Sequence, residues 1–304
     1  MSLSLSNVFS GAKRGWELTV IALRQWWEDD PFRLASSLAF YTVFSLAPIL
    51  LITVGLASVI FSEQEAKRMV IEQIDLMAGS EAARVAGQVL KNLSAIGRST
   101  KAIFVGITTV LIGSTAVFVN LLSALNHIWG VKPAPGTSKL KGLVRDRLRS
   151  FGIVVAVGFL LLVSMGFSAL VSGMHQIMLQ RAQDFPWIWQ FSNTAISFII
   201  TTLLFAMIYK YLPDVRINWD DVLIGATITS GLFSVGKYMI GLYLGRTAIG
   251  SAYGAAGSFV VLLIWIYYSA LICFLGAEFT QVYARRYGSR LRPKEHAMRI
   301  DSDS

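Results

Sequence analysis

Two charged side chains stand inside long apolar stretches of this 304-residue chain. Lys237 and Glu278 are the only Asp, Glu, Lys or Arg residues in six windows that together hold 159 residues: 34–61, 102–130, 150–178, 187–209, 222–244 and 258–284. An ionisable side chain is costly in hydrocarbon, so each one is a functional candidate. Lys237 is suited to attract an anionic group, and Glu278 to carry a proton or to form an ion pair. Three basic residues are candidate partners for that ion pair at the inner face: Arg33, Arg145 and Arg149.

If each window crosses a membrane as a helix, Lys237 and Glu278 lie at different depths in that membrane. Lys237 lies 7 residues before the outer end of its window, and Glu278 lies 6 residues before the inner end of the next. At about 1.5 Å per residue, roughly 10 Å of depth divides them, so we expect no direct salt bridge. Each residue also has a purely structural interpretation. The side chain of Lys237 would extend to the outer lipid headgroups, and Glu278 would form a structural ion pair.

Further polar residues in the windows are candidates for a substrate path. Asn120 and Asn126 lie in the inner half of the second window, where they either bond to a neighbouring helix or line a cavity. Tyr41 and Tyr268 supply hydroxyl groups, although aromatic residues in such helices more often serve packing.

Four residues are candidates for a kink or a gate. Pro48 lies in the middle of the first window and removes a helical hydrogen bond there, which serves either packing or gating. Gly250, Gly254 and Gly257 belong to the segment 245–257, which is either a mobile gate or a close-packed re-entrant turn.

The residues expected of a metal site or of an enzyme do not converge. His127, His175 and His296 fall at different depths or in the tail, and the single cysteine, Cys273, excludes a cysteine metal cluster. The chain has no Walker-type phosphate loop and no nucleophile elbow. The sequence therefore predicts no metal, no cofactor and no enzymatic activity.

The windows themselves predict the fold class. Each window exceeds the roughly 20 apolar residues that a helix needs to cross a bilayer, so we predict an all-α polytopic membrane protein with six transmembrane helices. The segments on the N-terminal side carry 18 Lys and Arg residues and the opposite segments carry 8, which places both termini in the cytoplasm. This basic excess fits anionic lipid headgroups as partners and does not require nucleic acid.

The segments outside the windows have patterns of their own. Residues 7–28 mix Trp, Leu and Ile with basic residues, as in a helix at the membrane interface. Residues 62–101 predict two amphipathic periplasmic helices, the first opened by a capping box at Ser62 and Glu65. We predict a cytoplasmic and interfacial segment at 1–33, a transmembrane domain at 34–284 and a basic cytoplasmic tail at 285–304 that is disordered at its end.

Four stretches carry a resemblance to a known family: DDPFRLASSLAFYTVFSLAPILL (29–51), WGV (129–131), YLPDVRINWDDVLIGA (211–226) and YGAAGSFVVLLIWIYYSALICFLGAEFTQVYA (253–284). They are similar to the YihY/BrkB family of bacterial inner-membrane proteins. The resemblance implies six helices with cytoplasmic ends, and it supplies no agreed catalytic residues. Members have been labelled as a tRNA-processing ribonuclease or as a virulence factor. The ribonuclease label conflicts with the residues described above.

Three functions remain as hypotheses. The first is a flippase-like transporter of a lipid or other amphiphile, favoured by the outer helices and Lys237. The second is a cation/proton antiporter, for which Glu278 is the available carboxylate in the windows. The third is a non-transporting scaffold that recruits an envelope or periplasmic protein through its outer helices.

Overall fold

The computed structural model describes residues 5–59, 61–78, 80–95, 116–134, 186–246, 257–288 and 291–300. The helices in these ranges are α1 (Leu5–Glu28), α2 (Pro31–Ala57), α3 (Glu63–Ala78), α4 (Ser80–Ala95), α5 (Ala116–Ile128), α6 (Pro186–Tyr211), α7 (Trp219–Arg246) and α8 (Gly257–Arg286). The strands are β1 (Val131–Pro133), β2 (Val215–Arg216), β3 (Arg292–Pro293) and β4 (Ala297–Arg299).

Three of the described helices are long and apolar enough to cross a membrane. The qualifying segments are Thr194–Tyr211 in α6, Trp219–Ile240 in α7 and Val260–Arg286 in α8. The first predicted window falls on α2 and the end of the second on α5, whereas the window 150–178 lies outside the described residues. A helical membrane protein is thus confirmed, and the number of six spans stays a prediction.

Helix α8 is the central element of the described bundle, because α7, α2 and α1 all pack against it. The main core joins α5, α6 and α8 through the buried side chains of Leu125, Trp129, Tyr209 and Phe274. Gly276 of α8 faces Thr229 and Tyr209 so closely that a Cβ atom would overlap them. Small residues of this kind let helices in a membrane approach each other.

Helix α2 begins at an Asp-Pro pair, a local helix-start signal. Asp30 adopts a φ of 54°, a left-handed conformation that Asp tolerates better than most residues, and its carbonyl accepts the amide of Leu34 at 3.3 Å. Pro31 is the first helical residue, a position where its missing N–H costs no hydrogen bond. The helix continues through Pro48 to Ala57.

Helices α3 and α4 form a hairpin that packs against α2, and we call this side of the bundle the hairpin end. The amide of Glu65 donates to Ser62 Oγ at 3.3 Å and the amide of Ser62 donates to Glu65 Oε2 at 3.2 Å, which confirms the capping box. These bonds from Ser62 hold the pKa of Glu65 below its ordinary value. The two helices predicted for this segment are present, and their periplasmic location stays a prediction.

Helix α1 has two opposite apolar faces. Leu18 and Ala22 are buried against Val282 of α8. The other face exposes large apolar side chains at helical spacing: Trp16 (70% exposed), Val20 (46%), Leu23 (44%) and Trp27 (68%). One face therefore docks α1 on the bundle, and the other is left open.

Four short strands close the opposite side of the bundle, which we call the strand end. Strand β1 pairs antiparallel with β4, with Val131 opposite Arg299, and β2 pairs antiparallel with β3, with Val215 opposite Pro293. The connections after α5 and α6 are thus joined to the C-terminal segment. Within the predicted basic tail, residues 291–300 contain β3 and β4, and residues 301–304 lie outside the described residues.

Candidate functional site

Glu278 lies inside the bundle near the strand end, and its side chain is fully buried. Its carboxyl group is within hydrogen-bond reach of the side chain of Asp29, and no amide, hydroxyl or basic group of the described residues donates to it. The charged groups that act on it are the carboxylate of Asp29, at the junction of α1 and α2, and the guanidinium of Arg285, seven residues later in α8. Glu278 and Asp29 thus bring two acidic side chains together at the strand end of the bundle.

Of the three ion-pair partners predicted for Glu278, the structure describes only Arg33. Arg33 lies at the start of α2, where its Nε donates to Asp30 Oδ2 at 2.7 Å. This exposed pair forms between neighbours in sequence and leaves Arg33 away from Glu278. Arg145 and Arg149 lie outside the described residues.

Asn126 takes part in a hydrogen-bond network at the strand end. Its Nδ2 donates to Asp214 Oδ2 at 3.0 Å, and its Oδ1 accepts the amide of Asp214 at 2.8 Å. The second carboxylate oxygen of Asp214 lies 3.0 Å from His296 Nε2. Asp214 is buried and its two partners are partly buried, so this network joins α5, the connection between α6 and α7, and the C-terminal segment largely inside the protein.

Backbone groups complete the attachment of the C-terminal segment. The amide of Lys294 donates to the carbonyl of Asp214 at 2.9 Å, and Lys294 Nζ donates to the carbonyl of Pro213 at 2.6 Å. On the other side, the amide of Ala134 donates to the carbonyl of His296 at 2.9 Å. Residues 294–296 are therefore held between the two connections.

The remaining polar candidates mostly serve helix contacts. Asn120 accepts a hydrogen bond from Ser37 Oγ at 2.7 Å. It therefore bonds across to α2, which is the first of the two alternatives that the sequence left open for it. Tyr268 packs beside Ile240 and against the backbone at Gly236 on α7. Tyr41 is 36% exposed and packs edge-to-face on Phe40.

Lys237 is half-buried on α7 and faces the hairpin end. The carboxylate of Asp75 in α3 acts on it electrostatically. Lys237 therefore has an acidic side chain of the protein in its surroundings, and lipid headgroups are not the one source of negative charge for it. Glu278 and Lys237 fall at opposite ends of the bundle, as their depths predict.

An apolar cavity of about 320 Å³ lies among the helices. It is lined from α2, α5, α6, α7 and α8 by Leu38, Leu121, Thr201, Leu204, Phe205, Phe233, Trp265, Ile266, Ser269, Ala270 and Cys273. The lining contains no charged side chain, and its polar groups are two hydroxyls, a thiol and the indole N–H of Trp265. The hydroxyls of Thr201 and Ser269 already donate to helix carbonyls four residues earlier, at 2.8 Å each. The cavity is thus suited to an apolar chain.

The structure describes two of the four residues that were predicted to form a kink or a gate. Pro48 lies within the continuous helix α2, and Gly257 is the first residue of α8. Gly250 and Gly254 lie outside the described residues. The kink and gate functions of these four residues stay predictions.

Four residues of the strand end escaped prediction from the sequence: Asp29, Asp214, Gln281 and His296. Gln281 was within reach of sequence reasoning, because it follows Glu278 by three residues and shares its helix face. The pairing of Asp214 with His296 joins positions 82 residues apart, and no local pattern indicates it. In the part of the chain that the structure describes, no group of three His, Cys, Asp or Glu residues is placed to hold a metal ion.

Comparison with known proteins identifies relatives along most of the chain. It is 29% identical over 265 residues to a UPF0761 membrane protein of Albidiferax ferrireducens, which covers 86% of this chain and 61% of the relative. It is 28% identical over 258 residues to a UPF0761 membrane protein of Ralstonia nicotianae, which covers 84% and 56%. The chain thus spans about three fifths of the length of the relatives it matches. No solved structure matches it.

The family model described as virulence factor BrkB matches residues 22–301. This range includes Asp29, Asp214, Glu278 and His296, and it agrees with the resemblance found in the sequence. The chain is a membrane protein that belongs to the BrkB family, to which the UPF0761 membrane proteins are related.

Proposed function

We propose that this protein moves a lipid or another amphiphile across the bacterial cytoplasmic (inner) membrane. The observation that carries the proposal is the uncharged cavity of about 320 Å³ among five helices. Ligand pockets begin at about this volume and are lined mainly by apolar side chains. An acyl chain needs such a lining, whereas an ion or a sugar needs polar partners that this cavity does not offer.

The orientation of the chain is part of the proposal. The 18 to 8 distribution of basic residues assigns the strand end, with both termini, to the cytoplasm and the hairpin end to the periplasm. Anionic headgroups are then the partners of the cytoplasmic face. The open face of α1, with Trp16 and Trp27 at its ends, suits the interface of the inner leaflet.

This proposal does not use Lys237 to attract an anionic headgroup, the role that the sequence suggested for it. An anionic headgroup that approached Lys237 would compete with Asp75 of α3. The cavity rather than Lys237 therefore supports movement of an amphiphile, and Lys237 interacts electrostatically with Asp75 of the hairpin.

The test is reconstitution of the full chain in liposomes with reporter phospholipids, scored against empty vesicles. Ser269→Leu adds volume to the cavity lining, and Ser234→Leu makes the same change at an exposed position of α7. Both hydroxyls donate at 2.8 Å to the carbonyl four residues earlier, so the two variants lose the same local bond. We expect Ser269→Leu to slow lipid movement about tenfold, a barrier increase of ~1.4 kcal/mol, and Ser234→Leu to leave it unchanged.

Two results contradict the proposal. One is the absence of protein-dependent lipid movement by folded protein. The other is an equal loss in both variants, because it would assign the effect to the lost hydroxyl bond rather than to the cavity.

A second candidate function is cation/proton antiport, and the buried carboxyl of Glu278 beside a second carboxyl, Asp29, favours it. In this case Glu278→Gln abolishes pH-dependent exchange in vesicles while lipid movement persists. A scaffold would keep its envelope function with both Ser269→Leu and Glu278→Gln. Neither catalysis nor nucleic-acid binding forms part of the proposal.

A further inference from the structure

Three titratable side chains at the strand end lie in order of decreasing exposure. The side chain of His127 on α5 is 48% exposed, and that of Asp29, at the junction of α1 and α2, is 30% exposed. Glu278 of α8 is fully buried. His127 Nε2 lies 3.8 Å from Asp29 Oδ1, and the carboxyl of Glu278 is within hydrogen-bond reach of Asp29. The three groups therefore form a series that leads from the surface to a buried carboxyl.

Contacts between helices hold this series in place. Gln281 follows Glu278 by three residues on the same face of α8, and its Nε2 donates to the carbonyl of Ile128 at 2.8 Å. Ile128 follows His127 in the chain, so the end of α5 that contains His127 is fixed against α8. From the other side, the apolar contact of α1 with α8 brings Asp29 to the same place.

A hydrogen bond between two carboxyl groups needs a proton. Two ionised carboxylates are both acceptors and repel each other, so a close pair of them shares one proton. No amide, hydroxyl or basic group of the described residues donates to Glu278, and its burial removes bulk water as a donor to the ionised form. The arrangement thus favours a proton on Glu278 that is bonded to Asp29.

The charged groups around the two carboxyls are compatible with one shared proton. Arg285 of α8 acts electrostatically on both Glu278 and Asp29, and it donates no hydrogen bond to Glu278. Arg299 of β4 acts on Arg285 in turn. One proton on the pair leaves a single negative charge, which Arg285 balances directly. From α5, His127 is the titratable group that faces Asp29.

His127 completes a route from the buried carboxyl to water. An imidazole takes up and releases protons near neutral pH. The distance of 3.8 Å to Asp29 is one that a single water or a small rotation of either side chain bridges. A proton that leaves Glu278 would pass to the carboxylate of Asp29 and then to the neutral imidazole of His127. The imidazolium would release it to water at the strand end.

We propose that Glu278 is a proton-binding site, and that Asp29 and His127 connect it to the water at the strand end. The proposal does not rest on the movement of a lipid. It would supply the second candidate function with an entry route for protons on this side of the membrane.

Infrared spectroscopy of the full chain in lipid vesicles at neutral pH tests the site. A protonated carboxyl has a C=O stretching band that is separate from the bands of carboxylates and amides. We expect this band in the wild type and its loss in Glu278→Gln. Glu72→Gln makes the same change at an exposed position of α3 and should keep the band.

Isotope labelling keeps the proposal falsifiable if Glu278→Gln does not fold. A heavy carbon isotope in the side-chain carboxyl of glutamate should shift the band of the wild type to lower frequency, and the same label in aspartate should leave it in place. A band that moves only with labelled aspartate would assign the proton to Asp29 and overturn the site at Glu278.

The route is tested by replacing the water with deuterium oxide. The band shifts when deuterium replaces the carboxyl proton, so the time course of the shift measures how fast Glu278 exchanges with solvent. We expect His127→Gln to slow this exchange on the order of a hundredfold, the lower end of what a positioned acid or base contributes to proton transfer. Added imidazole should restore the rate, whereas Glu72→Gln should exchange as the wild type does.

The proposal is overturned if folded wild-type protein lacks the band, if the band persists in Glu278→Gln, or if His127→Gln exchanges at the wild-type rate. Slow exchange that imidazole does not restore also contradicts it, because the effect of His127→Gln would then be structural. The outcome is separate from that of the lipid assay, since Ser269→Leu should keep both the band and its exchange rate.

Discussion

The two ends of the bundle are built by different kinds of contact. At the strand end, side-chain hydrogen bonds join residues far apart in sequence, 88 positions for Asn126 and Asp214 and 153 for Gln281 and Ile128. At the hairpin end, two hydrogen-bonded pairs of α3 join neighbours in sequence: the amide of Ser62 donates to Glu65 three residues on, and Lys67 pairs with Glu63 at 2.7 Å four residues back.

This difference predicts that the hairpin end is locally less stable than the strand end. A unit held by local bonds and one apolar face opens without breaking the rest of the structure, whereas buried long-range bonds break together. The strand end therefore fixes the ends of α5, α6 and α8 relative to one another. We infer that the hairpin, with α2 beneath it, is the part that rearranges at lower cost.

The largest effect that separates the two ends is expected for Asp214→Ala. The partly buried amide of Asn126 and the ring of His296 would both lose their buried acceptor, and we expect a loss of about 3 kcal/mol of stability. Glu63→Ala is the matched change at the hairpin end. It breaks an exposed ion pair, so the loss should stay below about 1 kcal/mol. Thermal unfolding in detergent measures both.

A similar small loss in both variants would contradict the comparison, because it would mean that the strand end is held by its apolar contacts alone. Asp214→Asn serves as the control for shape. It retains one acceptor but presents an amide group to the other partner, so its stability should fall between those of the wild type and Asp214→Ala.

A smaller contrast is expected for two glycines. In Gly276→Ala the new methyl group would overlap Thr229 and Tyr209, and the strain should cost about 2 kcal/mol. In Gly87→Ala of α4 the methyl group would meet Ile71 Cδ1 at 3.5 Å, an ordinary contact. Since Ala favours a helix over Gly by up to about 1 kcal/mol, Gly87→Ala should be neutral or stabilising.

The same unfolding measurement tests this prediction. If Gly276→Ala were tolerated as well as Gly87→Ala, then α7 and α8 could separate by a methyl group without cost, and the close helix contact would not be a determinant of the fold.

Features with a local cause were predictable from the sequence. The apolar windows indicated α6, α7 and α8, the Asp30-Pro31 pair indicated the start of α2, and Ser62 with Glu65 indicated the start of α3. In each case one short stretch of chain contains both the signal and the structure that it specifies. The isolated charge of Glu278 was visible for the same reason.

The partners of Glu278 were not predictable, because they depend on how helices cross. The sequence offered Arg33 as a counter-ion, but Arg33 has a nearer carboxylate in Asp30, and a pair within one turn forms at a smaller loss of side-chain entropy. Asp29 approaches Glu278 only because α1 docks on α8 through Leu18 and Ala22. The strands of the C-terminal segment are equally non-local, since β3 and β4 pair with connections far away in sequence.

The smallest effect is expected from acidification at the hairpin end. The fold holds the pKa of Glu65 below its ordinary value through bonds from Ser62, so the ionised form is the one that stabilises α3. This contribution is complete above the pKa of Glu65 in the unfolded chain, about 4.3, and is lost as the pH falls through the lower value in the folded protein. The first-turn amides of α3 should then exchange faster with deuterium, after correction for intrinsic rates.

Ser62→Ala isolates this effect from the other carboxylates of α3. Without the Ser62 hydroxyl, the pKa of Glu65 should lie nearer its ordinary value, and the acid-dependent loss of protection should shrink and begin at a higher pH. The amides around Asp214 report the strand end in the same experiment and should respond alike in wild type and Ser62→Ala. If the amides of α3 showed one pH profile in both proteins, the capping box would not be the acid-sensitive element, and the first turn of α3 would depend on its packing against α2.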